Sequence, residues 1–284
     1  MAGTVFVNPG SGRTETSTGD MARVFPGARV VECDGDGFED QVREAVDAGA
    51  AYVAVAGGDG TMRGAAQVLT GGETPLAPVP AGTRNHFAKD VGLPDFDAVA
   101  DAVAGGHIVR IDTGEVNGMV FVNNASIGLY PKIVTSREVH QRRLPKGAAH
   151  IVAAWEQLRR GRRVVVEVEG EPYRAWLVFV GNGAYGEGLL DLADRETLTD
   201  GILDVRIVRA DAPMARMRIV GALLLGRLAR SPLVIRRRVP AITINVRRRR
   251  KVQAALDGEV TMLDPPLRFV CRPASLPVFT PPPG

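Results

Sequence analysis

The chain has 284 residues, 45% of them hydrophobic, with 35 basic against 32 acidic side chains and a formal net charge of +3. That length exceeds the usual single domain and that apolar content fills sizeable cores, so a disordered chain is excluded and a soluble two-domain organisation is expected. The longest apolar runs, such as 219–225, are too short to cross a bilayer as a helix, and the N-terminus lacks a basic region leading into a signal-type apolar core, which points to the cytoplasm.

Apolar strands are predicted at 5–7, 28–32, 52–56 and 76–79, with helical patterns at 38–48, 62–69 and 98–104 between or after them. Strands alternating with helices read as a parallel sheet wrapped by helices. From residue 108 the pattern becomes β-rich, with short strands at 120–122, 163–169, 176–182, 203–207, 241–246 and 267–271, a density that favours an antiparallel sandwich. Helices are expected at 148–160 and 214–229, and the Pro-rich segment 277–283 reads as an extended tail. Cys33 and Cys271 are too few and too isolated for a disulfide framework or a zinc site, so reduced thiols are expected.

Three of the predicted strands run into turns suited to phosphate. The first ends in Asn8, Pro9, Gly10, Ser11 and Gly12, the third in Gly57, Gly58, Asp59, Gly60 and Thr61, and the fourth in Pro80, Ala81, Gly82, Thr83 and Asn85 after Arg84. Glycines admit positive φ and close backbone approach, successive amides form an anion-binding nest, and a following helix aims its positive end at the same place. Each turn alone is equally an ordinary strand-to-helix punctuation. Together they suggest one crevice beyond the carboxyl ends of the strands. The spacing fits neither the P-loop nor the dinucleotide fingerprint.

These blocks, with Asn124 to Gly128, Leu198 to Asp204 and the Leu256-Asp257-Gly258-Glu259 segment, resemble the diacylglycerol kinase catalytic family, lipid kinases related to sphingosine kinases and more distantly to NAD kinases, over nearly the whole chain. The resemblance implies an N-terminal Rossmann-like α/β domain, 1–112, rejoined by 272–284, and a C-terminal antiparallel β-sandwich domain, 113–271, that takes the lipid. It implies transfer of the γ-phosphoryl group of ATP, with Mg²⁺, to a lipid hydroxyl, diacylglycerol or a related lipid. An NAD kinase shares the Gly-Gly-Asp-Gly loop, but the Asp-Gly-Glu block and the Asn-Pro-x-Ser-Gly opening point to the lipid branch.

Within the resemblance Glu259 is the general base, with Asp257 orienting it or the two bracketing a hairpin turn at Gly258; Asp-Gly is a frequent turn pair. Asp59 acts through magnesium-bound water together with Asp112; as bare sequence the first is a loop cap and the second a turn residue. Asp200, with the backbone carbonyls of Thr197 and Ile202, matches a structural magnesium site, hard oxygen donors for a hard cation, and Asp204 is structural. His86 departs from the pattern, standing where many members carry aspartate; an imidazole cannot replace an anion near Mg²⁺. A catalytically weak nucleotide- and lipid-binding module is therefore the competing reading. His107, His140 and His150 have no ligand-like spacing and read as surface or core residues.

Two basic runs, Arg236 to Arg238 and Arg247 to Lys251, flank the strand 241–246. Clustered cations suit peripheral contact with an anionic membrane at the inner face, more than a merely solvated strand; no aromatic residues interleave them and no nucleic-acid motif accompanies them. Exposed β edges in the second domain leave pairing into a homodimer open.

Overall fold

A computed structural model describes residues 2–10, 17–33, 37–82, 85–128, 163–186, 195, 197–224 and 231–282. The chain divides into two compact units, the first comprising Met1–Thr113, Met119–Val122 and Arg272–Gly284, the second Gly114–Gly118 and Asn123–Cys271.

In the first unit the chain runs β1 (Thr4–Val7), α1 (Thr18–Val24), β2 (Arg29–Glu32), α2 (Phe38–Asp47), β3 (Val53–Gly57), α3 (Asp59–Leu69), β4 (Leu76–Pro80), α4 (His86–Asp90), α5 (Phe96–Gly105), most of β5 (Ile108–Val116) and β6 (Met119–Phe121). β1 lies between β2 and β3, β4 pairs with β3, and these three pairings are parallel. β1 and β3 are buried along their whole length, as central strands covered on both faces must be. α3 buries Met62, Ala65, Ala66 and Leu69, one helical stripe, and α2 buries Phe38, Val42 and Ala45, with the Phe38 ring edge-on to Phe6 at 5.4 Å. α1 carries a capping box, Ser17 Oγ accepting from the Asp20 amide at 3.1 Å while the Asp20 carboxylate accepts from the Ser17 amide at 3.2 Å.

Two expectations need correction here. α3 begins at Asp59 rather than at residue 62, because Gly58 is extended, with ψ of 179°, and serves as the N-cap, so Asp59, Gly60 and Thr61 form the first helical turn. The expected tail is a buried strand as far as Phe279: Leu276, Val278 and Phe279 are sequestered, and Val278 pairs in parallel with Leu76. Leu276, Val278 and Phe279 carry enough apolar surface to offset the poor strand propensity of Pro277.

The second unit holds β7 (Asn124–Gly128), β8 (Val164–Val168), β9 (Glu171–Asn182), β10 (Leu203–Arg209), α6 (Ala215–Leu224), β11 (Val234–Val239), β12 (Ala241–Val246), β13 (Val252–Leu256), β14 (Glu259–Leu263) and the first part of β15 (Leu267–Phe279). The strand pairings within it are antiparallel, in the order β14, β13, β7, β9, β8, β12, β15, with β10 on β9 and β11 on β10. The fold is thus α/β followed by antiparallel β. Trp176, Leu177, Phe179, Tyr185, Val208 and Ile219 are among the residues of its apolar core. The helix expected at 148–160 lies outside the described residues, as do His140, His150 and the end of the helix expected at 214–229. Cys33 and Cys271 are both buried and form no disulfide.

Candidate active site

In the first unit, three loops meet at the carboxyl ends of adjacent parallel strands. Asn8, just past β1, donates from Nδ2 to Thr61 Oγ1 in the first turn of α3 at 3.2 Å, while its Oδ1 accepts from the Gly10 amide at 3.1 Å. The loop after β4 closes on the loop after β3: a Cβ on Gly82 would stand 2.8 Å from Gly58 Cα and 3.1 Å from the Gly57 carbonyl oxygen. Only glycine fits there. Asn85, in the left-handed region at φ of 50°, donates from Nδ2 to the Pro80 carbonyl at 3.0 Å. Its Oδ1 is buried and has no hydrogen-bond partner among the described residues. That atom needs a donor, which suits a hydroxyl or a bound water better than a bare phosphate oxygen. Ser11, Gly12 and Thr83 lie outside the described residues.

Asp59 is half-buried at the first position of α3, where its charge complements the positive end of the helix. Asp112, on β5, is 2% exposed and accepts from the Ala274 amide at 2.8 Å, holding a non-glycine residue whose φ is 47°. The structure thus gives both carboxylates local work in the first unit.

In the second unit Asp257 and Gly258 are the two central residues of the hairpin joining β13 to β14, with φ of 48° and 91° and Leu256 opposite Glu259. Positive φ at both positions is the type I′ signature that matches strand twist. Asp257 is buried, and its Oδ1 accepts from the amides of Asn123 and Asn124 at 2.7 and 3.0 Å. Asn123 is held from every side: its carbonyl accepts from Tyr185 Oη at 2.8 Å and its Oδ1 from Arg195 at 2.9 Å. Asp257 therefore fixes the turn, and Glu259, one residue beyond Gly258, is exposed. Sequence reasoning missed Asn123, Tyr185 and Arg195; the polar Asn123-Asn124 pair closing an apolar run was the available signal.

Asp200, Thr197 and Ile202 come together around Gly183. Asp200 accepts from the Ala184 amide at 3.0 Å and the Ile202 amide at 3.3 Å, and the Ile202 carbonyl accepts from the Gly183 amide at 3.0 Å. A Cβ on Gly183 would sit 2.6 Å from the Thr197 carbonyl oxygen, so the two segments touch through backbone. One carboxylate and two carbonyls form an all-oxygen donor set compatible with a hard divalent cation.

Beside it lies a buried charge network. Asp204, fully buried, binds Arg206 at 2.8 Å and Arg236 at 2.6 Å, and Arg206 also donates to the Tyr185 and Gly186 carbonyls at 2.8 and 2.7 Å. Burial pushes the Asp204 carboxyl up, but the hydrogen bonds from the two guanidinium groups outweigh it and hold its pKa below the usual carboxylate value. Arg237 binds Glu169. Arg236 and Arg237 are therefore paired with acids even though Arg236 stays exposed, so they are not the unpaired cations their run in the sequence suggests.

Residues 2–116 match the Diacylglycerol kinase catalytic domain family and residues 130–280 the YegS C-terminal NAD kinase beta sandwich-like domain family. Over 247 residues the chain is 31% identical to a protein of Pseudomonas fluorescens named "Probable lipid kinase YegS-like", covering 84% of this chain and 81% of that protein. A protein of the same name from Pseudomonas aeruginosa is 33% identical, covering 84% and 80%. Among solved structures, a diacylglycerol kinase from Bacillus anthracis str. Sterne superposes with a TM-score of 0.68 at 19% identity, covering 99% of this chain and 97% of that one, a likeness of fold.

Proposed function

The chain belongs to the diacylglycerol kinase catalytic family, and from that premise we propose that it is an ATP-dependent lipid kinase whose acceptor is the hydroxyl of diacylglycerol or a related lipid. The observation that carries the nucleotide part is the convergence of the loops after β1, β3 and β4, through Asn8, Thr61, Gly58 and Gly82, at the carboxyl ends of parallel strands. A membrane-lipid acceptor with ATP as the donor calls, in this reading, for a peripheral visitor at the inner membrane face; no helix among the described residues is long and apolar enough to cross a membrane.

The donor chemistry of the site fits Mg²⁺ and ATP. Asn8, Gly58, Gly60, Thr61 and Gly82 offer short side chains and partly exposed backbone beyond buried Gly57, the buried Asn85 Oδ1 asks for a donor, and Asp59 stands at the same helix start. Bound there, ATP would supply the γ-phosphoryl group and Mg²⁺ would neutralise charge on its oxygens. Glu259 accepts the proton of the attacking lipid hydroxyl, and Asp257 keeps the turn that presents it rigid. Asp200 with the Thr197 and Ile202 carbonyls would hold a second, structural cation, and Asp112 orients the chain's return at Ala274.

Transfer of labelled γ-phosphate to a panel of lipids in mixed micelles tests the reading. A labelled lipid that disappears in Glu259→Ala and in Asp59→Asn supports it and names the acceptor; NADP formed from NAD and ATP would replace it with an NAD kinase. His86, at the first position of α4, favours a second reading, a nucleotide- and lipid-binding module with weak activity. ATP binding with no labelled lipid is the result that selects it.

A further inference from the structure

We propose that the turn formed by Arg247, Arg248, Arg249, Arg250 and Lys251 is the surface by which the protein docks on an anionic lipid bilayer; this rests on the lipid-kinase reading and names the partner and the place. All five side chains are exposed. Among the described residues none of the five is joined to an acid, whereas Arg206, Arg209, Arg236 and Arg237 on the strands of the same unit all are. Five adjacent like charges repel one another, a standing cost that an anionic surface removes.

The turn is held rigidly. Val246 before it and Val252 after it are buried, the Arg247 amide donates to the Val165 carbonyl at 2.9 Å, and Arg248 takes the left-handed region at φ of 59°. Arg247 to Arg250 border an open groove with Asn245, Pro265 and one acid, Glu167. Apolar residues flank the charge. Val252, next to Lys251, pairs with Leu263 at the end of β14, and along that edge strand Val260 and Met262, both 54% exposed, alternate onto one face. Cations beside exposed aliphatic side chains are the composition of a membrane interface, where the charges meet headgroups and the apolar groups enter the acyl boundary. A single-strand nucleic-acid site would interleave stacking aromatics; Tyr173, the aromatic residue of the adjoining groove, is tied to Glu171.

The test is sedimentation of the full chain with sucrose-loaded vesicles, without ATP, comparing phosphatidylcholine alone with phosphatidylcholine mixed with phosphatidylglycerol. Wild type is expected to sediment only with the anionic vesicles and to be released as salt rises to about 0.5 M. Arg247→Gln/Arg249→Gln/Arg250→Gln should bind on the order of a hundredfold more weakly. Arg23→Gln/Arg29→Gln/Arg43→Gln, which removes the same charge from exposed sites of the first unit, should bind nearly as wild type. Thermal unfolding of both triple variants should match wild type, and phosphorylation of a short-chain, monomeric diacylglycerol should be the same for wild type and the turn variant. Loss of vesicle binding in the turn variant alone upholds the docking surface even if no lipid is ever phosphorylated, which would sink only the kinase reading. Equal binding by the turn variant, equal loss in the control variant, or displacement of the vesicles by a labelled oligonucleotide that depends on the same arginines overturns it.

Discussion

The Oδ1 of Asp257 lies 2.7 Å from the backbone nitrogen of Asn123, and the same oxygen receives the Asn124 amide at 3.0 Å. One carboxylate thus staples the β13–β14 hairpin to the start of β7, while the neighbouring acid on that hairpin, Glu259, is left exposed. Of the two acids of the Asp-Gly-Glu block, Asp257 is thereby committed to the fold, and the general-base role proposed above falls to Glu259.

Asp257→Ala leaves two buried backbone donors unsatisfied and is expected to destabilise the second unit by about 2–4 kcal/mol. Urea unfolding measures it. Glu259→Gln should leave the unfolding midpoint unchanged and lower the phosphoryl-transfer rate by roughly a hundredfold or more, the usual range for a lost general base. A Glu259→Gln protein that melts early, or one that stays active, contradicts the division.

Gly82→Ala tests the nucleotide loops. The new Cβ would stand 2.8 Å from Gly58 Cα and 3.1 Å from the Gly57 carbonyl oxygen, backbone contacts that cannot swing aside. The loops must separate, costing about 1–3 kcal/mol as overpacking does. Titration of a fluorescent ATP analogue should show weakened binding, with affinity for anionic vesicles intact. Unchanged nucleotide affinity would move the site away from these loops.

The parallel first unit was legible because its apolar strands end in glycine turns and its helices keep one stripe, as in Met62, Ala65, Ala66 and Leu69. α1 escaped notice because its seven residues bury only Met21, too short a helix to show periodicity. The destination of residues 276–279 was misread locally, since Pro277 argues against a strand and only pairing with β4 overrides it. The basic runs were the hardest. Charge patterning along the sequence cannot distinguish Arg236, drawn onto buried Asp204, from Arg249, which meets no acid among the described residues, because the difference is made by Asp204 on the neighbouring strand. The same limit hid Asn123, whose importance lies in what holds it.

Stability should depend on Asp204 in acid. Its pKa is lower folded than unfolded, so its contribution is complete above the unfolded value of about 3.9 and is lost as pH falls through the folded value. Between pH values of about 5 and 8 this group adds no slope. Asp204→Asn strands Arg206 in the core and is expected to cost about 3–5 kcal/mol near neutral pH. The deficit should shrink as wild type is taken below about pH 4, where the unfolded chain's carboxylate takes up its proton first and the folded one follows only at lower pH. Urea melts across that range give the curve, and a constant deficit at all pH values would mean packing, not charge, sets the cost.

The oxygen cluster at Asp200 predicts stabilisation by Mg²⁺ without nucleotide. At a hundred times its dissociation constant a bound ion adds about 2.7 kcal/mol. Wild type should therefore melt higher in MgCl₂ than in matched NaCl, and Asp200→Asn should lose that increment. An increment that persists in Asp200→Asn assigns the ion elsewhere.

His86 opens α4 directly after Asn85, whose buried Oδ1 lacks a partner among the described residues. If the proposed nucleotide site is magnesium-dependent, an imidazole here supplies no negative charge, and a carboxylate would. His86→Asp also places an acid in the first turn of a helix, where it is favoured by up to about 1 kcal/mol, so the change should not loosen the fold. The expected result is a rise in turnover of roughly tenfold, the rate equivalent of about 1.4 kcal/mol, with a lower Mg²⁺ requirement and an unchanged melting temperature. His86→Asn, isosteric in part and uncharged, should show no such gain, which separates charge from shape. A fall in turnover for His86→Asp with ATP still bound would mean that the histidine itself contacts the substrate, and the weak-module reading would lose its main support.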